Sequence, residues 1–170
     1  MLKAAAHGIG IGMFLFCLFT VSSCSKPASP SRTEPPAYRE RTVSLTSMSV
    51  DIINLVNQIR QSKHLRPLKL LEVASEEAIR HSQDMAAKRV PFGHDGFKQR
   101  AIILANELKG SSATGENVAT GRMSAKEVIT AWLKSPPHRA NIEGDFTYTG
   151  VGVARDGRGM LYYTQLFVKK

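Results

Sequence analysis

Trp132-Leu133-Lys134-Ser135-Pro136-Pro137-His138-Arg139-Ala140-Asn141-Ile142 ends one helix and delivers a histidine to a fixed place. Ahead of it, Ser124 and Glu127 have the spacing of a capping box, and Val128, Ala131 and Trp132 share one helical face. The spacing therefore predicts a helix over 124–134. Pro136 stops it. A residue before proline avoids the helical region, so Ser135 and Pro136 are expected in extended or turn geometry, with a sharp turn before His138. Trp132 reads as core. His138 is either a plain histidine at a loop or helix end or a presented functional group, and this stretch alone favours the plainer role.

Working outward, Thr149-Gly150-Val151-Gly152-Val153-Ala154 alternates at strand period, Asp156-Gly157-Arg158-Gly159 turns, and Met160 to Val168 returns as a second strand. Glycines on the first strand imply that something packs close to its backbone. Upstream, Gly110 to Gly121 is small and polar and reads as a loop. In that setting Glu116, between Gly115 and Asn117, is expected to be solvated. Phe97, Ala101, Leu104 and Leu108 mark a short helix, and the loop before it, after Pro91, centres on His94. A longer helix is predicted over 72–88 with Ala74, Ala78, His81 and Met85 on one stripe, His81 being a helix-face residue rather than a ligand. Ile52, Leu55, Val56 and Ile59 give another, beginning near Ser49.

Before Ser49 the chain changes character. Lys3, an apolar run from Ile9 to Val21 and the small residues Ser22 and Ser23 form an export leader, with a run too short for an ordinary membrane span. Val21-Ser22-Ser23-Cys24 resembles a bacterial lipobox, which implies a leader over 1–23 and lipidation of Cys24. Ser25 follows that cysteine where an inner-membrane lipoprotein can carry aspartate, so outer-membrane attachment is favoured if the host has two membranes. Residues 24–48, rich in Ser, Thr and Pro, read as a tether, leaving 49–170 as one domain. The only cysteines, Cys17 and Cys24, precede that domain, so a disulfide, a thiolate metal site and a cysteine nucleophile within it are excluded. Net charge is +9, and loss of Lys3 with the leader lowers it only to +8. A basic surface favours anionic envelope partners, but there is no block of like charges and no aromatic-plus-basic motif, and nucleic acid is not an expected partner.

Taken in order, several segments resemble one family. They are Asn57-x-x-Arg60, His81-Ser82-x-Asp84-Met85-Ala86, His94, Gly115-Glu116-Asn117, the Trp132 to Ile142 stretch, Gly150-Val151-Gly152 and Tyr163-Thr164-Gln165-Leu166-Phe167. Their joint order over about Val50 to Lys170 is similar to the CAP superfamily of cysteine-rich secretory proteins, antigen 5 and plant pathogenesis-related proteins, in its bacterial form. The resemblance implies an α+β fold, a three-layer α-β-α sandwich with a small, mainly antiparallel sheet. It also implies a surface cleft lined by two histidines and two acidic residues. Carried over, His94 is the first cleft histidine and Glu116 the first cleft glutamate. Where eukaryotic members place a second glutamate this chain has Ser135, and where they place a histidine it has Tyr162. The implied cleft is His94, Glu116 and His138, the last as second imidazole, with Tyr162 as a polar neighbour.

Two neutral imidazoles and a carboxylate can bind Zn²⁺ or another divalent cation and leave one position open for an activated water. The metal candidates are thus His94, His138 and Glu116, and Glu116 and His138 are candidate proton handlers. No His-Glu-x-x-His helix or Gly-x-Ser-x-Gly elbow is present. Ser135 as a nucleophile is a further candidate, set against a plain helix-ending role. The sequence favours a lipid-anchored, monomeric, extracytoplasmic binding module with a metal, lipid, sterol or envelope protein as ligand. A metal-dependent, peptidase-like hydrolase is the alternative.

Overall fold

The computed structural model describes residues 36–170 except Ser112. Its elements are α1 (Pro36–Ser62), β1 (Lys69–Leu70), α2 (Glu72–Ala86), α3 (Phe97–Glu107), β2 (Ala113–Gly121), α4 (Ala125–Lys134), α5 (Pro136–Glu143), β3 (Tyr148–Arg155) and β4 (Leu161–Lys169). The sheet runs β1-β3-β4-β2, with β1 parallel to β3 and the other pairs antiparallel. The leader and Cys24 lie outside the described residues.

Residue alternation in the strands makes the layers. On one face Val151, Val153, Leu161, Tyr163 and Phe167 meet Ile52 and Val56 of α1, Val128, Ile129 and Trp132 of α4 and Ile142 of α5. On the other, Leu166 and Val168 meet Ala74 and Ala78 of α2 and Leu104 of α3. The result is the three-layer α-β-α sandwich with a mainly antiparallel sheet. Gly150 and Gly152 show why α2 can lie so low on β3. A Cβ at Gly150 would stand 2.2 Å from Ser75 N, and one at Gly152 2.1 Å from Ile79 N. The seam is fastened by Ser82, whose hydroxyl bonds Gly152 O at 3.0 Å and Thr164 Oγ1 at 2.8 Å.

Three expectations are corrected. Helix α1 begins at Pro36, so 36–48, read as part of the tether, are helical; Pro36 opens the helix in its first turn, where a missing N–H costs no intrahelical bond. Gly110 to Gly121 is largely strand β2, because its small residues form a full ladder with β4 from Ala113↔Lys169 to Gly121↔Leu161. Pro136 opens a helix instead of a turn. Ser135 is extended at φ −96°, ψ 115°, as a residue before proline must be, and the two prolines fill the first turn of α5, whose third residue is His138. The capping box at Ser124 and Glu127 is present, with Ser124 N–H donating to Glu127 Oε2 at 2.8 Å.

Candidate functional site

Strand β2 is an edge strand, and unpaired edges attract other strands. Here the edge is closed by side chains of the Trp132 to Ile142 stretch. Trp132, 1% exposed, donates its indole N–H to Val118 O at 3.1 Å. Asn141 Nδ2 donates to Glu116 O at 3.1 Å and to Asn117 Oδ1 at 2.8 Å, and Asn117 Nδ2 donates to His138 O at 3.1 Å. Gly115 makes room for this lock, since a Cβ there would lie 2.8 Å from Asn141 Oδ1. Gly115-Glu116-Asn117 and the Trp132 stretch are thus two halves of one joint.

The joint also places the polar groups. Glu116 pairs with Leu166 and so projects to the α2/α3 side, where its side chain is 1% exposed. Arg100 of α3 grips both its oxygens, Nε to Oε2 at 2.8 Å and Nη2 to Oε1 at 3.0 Å. His94 Nδ1 approaches Oε1 at 2.8 Å, with its ring half exposed. A carboxylate only accepts, so Nδ1 carries the proton, and in the neutral ring Nε2 is the free lone pair. The loop carrying His94 is tied from beneath. His81, 3% exposed, bonds Gly93 O through Nε2 at 2.9 Å, and Arg100 Nη1 donates to Asp95 O at 2.8 Å. Burial, the largest cause, holds the His81 imidazole below its ordinary pKa, with the Arg100 charge acting the same way against weaker pulls from Gly93 O, Glu116 and Asp84.

His138 comes from the opposite layer and stands close enough for the charge of His94 to act on it. Burial first, then that charge, lowers its pKa from the usual value. The structure thus joins His94 to Glu116 by a hydrogen bond and brings His138 within electrostatic reach across the β2 edge. Tyr162 stands on the neighbouring strand. It sits on β4 opposite Thr120 and Ala154, four positions from the Leu166 that pairs with Glu116, or about 13 Å along the strand. Ser135 lies at the α4–α5 junction, and among the described residues no hydrogen bond links its hydroxyl to either imidazole.

Among the described residues no three His, Cys, Asp or Glu side chains are arranged to hold a cation. Arg100 occupies both Glu116 oxygens, and Glu116 in turn holds His94. Such a carboxylate orients an imidazole, as in the outer shell of many histidine sites, without being a ligand itself. Sequence reasoning missed Arg100, Asn141 and Asn117 as parts of the site. Glu116, read as a solvated loop residue, is the buried centre of the group because its strand is covered on both faces.

The comparisons agree with this architecture. The cysteine-rich secretory protein family model matches residues 53–167. The chain is 33% identical over 148 residues to the uncharacterized protein YkwD of Bacillus subtilis, covering 81% of this chain and 56% of that one. It is 32% identical over 128 residues to the uncharacterized membrane protein YlbC of the same organism, covering 74% and 35%. The chain thus spans little more than half of the first relative's length and about a third of the second's. Among solved structures, an extracellular protein from Bacillus anthracis containing an SCP domain superposes with TM-score 0.67 at 28% identity, over 86% of this chain and 45% of that one. A cysteine-rich secretory protein from Staphylococcus aureus gives 0.61 at 23% identity, over 74% and 39%, and shares the fold. With its family segments interlocked at the β2 edge and the family model matched over most of its length, the chain belongs to the cysteine-rich secretory protein (CAP) family.

Proposed function

We propose that this protein is a lipid-anchored, extracytoplasmic binding module whose recognition groups are His94 and His138. One observation carries the reading. Glu116 is buried, clamped on both oxygens by Arg100, and used to fix His94, so its oxygens are engaged in positioning. What it presents is a half-exposed imidazole whose Nε2 is left outside the Glu116 contact, beside a second imidazole that burial favours in the neutral form. Two imidazoles held at fixed places offer ring nitrogens for hydrogen bonds to a ligand. A resident zinc needs a third protein ligand, which the described residues do not bring together, so no step is assigned to a metal. The peptidase-like alternative asks Glu116 or His138 to handle a proton, and the Arg100 clamp argues against the first.

Placement outside the cytoplasm is supported by the leader pattern and by the related Bacillus anthracis protein, itself described as extracellular. Among the described residues no helix is long and apolar enough to cross a membrane, and the proposed anchor is an acyl chain on Cys24.

The test uses purified mature protein with isolated cell-wall sacculi and with vesicles of host lipid, beside a His94→Ala, His138→Ala double variant. Retention on either material that weakens about tenfold in the variant, with no soluble fragment released, supports the reading. Unchanged retention refutes the imidazole site. Fragments released by the native protein but not by Glu116→Gln refute the non-catalytic role. For the anchor, Cys24→Ala is expected to leave the membrane fraction, and persistence in the detergent phase would remove lipidation from the account.

A further inference from the structure

A cavity of about 620 Å³ lies at the end of α5 away from His138, between the turn that follows α1 and the segment leading into β3. That volume is within the range of small-molecule sites, about 300–1,000 Å³. Leu65, Pro67 and Phe146 give it apolar surface, and His64, Arg66 and Lys69 give it cationic or hydrogen-bonding side chains. Two acids also line it, but both are already neutralised: Glu143 pairs with Lys63 at 3.3 Å, and Asp145 pairs with Lys169. Arg60, 2% exposed, is fully used, its Nη1 donating to Ile142 O and Gly144 O at 2.8 Å each and its Nε to Arg66 O at 2.9 Å. Arg66 and Lys69 stand in no direct salt bridge among the described residues, although the charge of Arg66 acts on Asp145 at longer range. The cavity is therefore a concave, half-apolar surface with two cations held in no direct salt bridge.

Its walls are fixed rather than adaptable. Phe146 stacks on Phe167 with centroids 5.4 Å apart, and Gly144 lets the ring in, since a Cβ there would lie 2.8 Å from it. Opposite, His64 closes α1 in left-handed geometry at φ 59°, with its own N–H bonded to Gln61 O at 3.0 Å and Leu65 N–H bonded to Arg60 O at 2.9 Å. Glycine fills such a helix-ending position without steric cost. This chain instead places an imidazole there, on the cavity lining.

We propose that this cavity is a second ligand site, separate from the His94 group, for a small organic oxyanion: a carboxylate or phosphate on a body about the size of one or two rings. The oxyanion sits between Arg66 and Lys69 with His64 as an added donor, and the apolar body packs on Leu65, Pro67 and Phe146. The proposal stands whether or not the imidazole cleft recognises an envelope component.

The probe is anilinonaphthalene sulfonate, a ring-bearing anion whose fluorescence rises on burial, titrated into the mature protein and displaced by benzoate, inorganic phosphate or uncharged benzyl alcohol. Saturable binding displaced by benzoate, by phosphate or by both, but not by benzyl alcohol, supports the site, and the effective competitor identifies the oxyanion. An Arg66→Ala, Lys69→Ala double variant, altering only exposed side chains, is expected to bind at least about tenfold more weakly, with His94→Ala unchanged. His64→Gly relieves the left-handed strain and is expected to weaken binding while leaving the urea midpoint equal or higher, which separates loss of the site from loss of the fold. Equal affinity in the double variant, displacement by benzyl alcohol as readily as by benzoate, or loss of binding in His94→Ala would each overturn it.

Discussion

Replacing Trp132 tests the joint between α4 and the sheet edge. The ring is 1% exposed, and an aromatic side chain of this kind buries about 150–250 Å², worth about 4–6 kcal/mol at ~25 cal/mol per Å². Removing the indole N–H also strips Val118 O of its side-chain partner, a further cost of about 1–3 kcal/mol where water does not replace it. Incomplete burial in the unfolded reference and partial collapse of the cavity reduce the sum, and measured costs for such truncations run about 3–5 kcal/mol. Trp132→Ala is therefore expected to lose about 4–5 kcal/mol, much of the stability of an ordinary domain. Trp132→Phe keeps most of the apolar contact and deletes the donor, so its expected cost is about 1–3 kcal/mol. Because Trp132 is the chain's only tryptophan, urea unfolding is followed by far-ultraviolet circular dichroism rather than fluorescence. A cost well under 1 kcal/mol for Trp132→Ala would refute burial, and no cost for Trp132→Phe would refute the role given to the edge hydrogen bond.

Gly152→Ala is expected to destabilise the domain by about 3 kcal/mol or more, because the added carbon would meet the backbone of α2 at 2.1 Å and neither partner is a flexible side chain; a thermal midpoint within a few degrees of the native one would refute the packing of α2 on β3. Stability should also fall between pH 7 and pH 5. His81 and His138 both have pKa values lowered in the fold, chiefly by burial, so the unfolded chain binds more protons as pH drops through about 6.5 and unfolding is favoured. His138→Asn should flatten that slope, measured as the urea midpoint at pH 7.5 and 5.0, and an unchanged slope in the variant would exclude His138 from the effect.

Local patterning carried much of the fold. The helices α2 to α4 and the β3–β4 hairpin follow from periodicity, the Ser124 capping box and the Asp156 to Gly159 turn, all written within a few residues of sequence. The failures share another cause. Strand β2 has almost no apolar alternation, being Ala-Thr-Gly-Glu-Asn-Val-Ala-Thr-Gly, and becomes a strand because β4 pairs with its whole length from about fifty residues away. Separation in sequence also hid Arg100, 16 residues from Glu116. Nothing near Glu116 in sequence says that a guanidinium from α3 will hold it, so a buried carboxylate reads as a loop acid. Helix α1 was cut short because Pro and Ser counts describe composition, whereas a helix beginning on Pro36 needs only that no later proline interrupt it, and none occurs before Pro67.

Edge protection and site construction turn out to be one requirement. A nine-residue edge strand with exposed carbonyls must be capped, and α4 and α5 cap it with an indole and a carboxamide. The helix that brings Asn141 to Glu116 O also carries His138, one turn earlier, to the same edge, while the opposite face of that strand turns Glu116 toward Arg100 and His94. The two imidazoles therefore come from different layers, and their separation depends on how α5 seats on β2 rather than on either local backbone. Arg60 holds the far end of α5 through the carbonyls of Ile142 and Gly144. Asn117, Asn141 and the buried Arg60, which touch no ligand in this account, set the geometry of the groups that would.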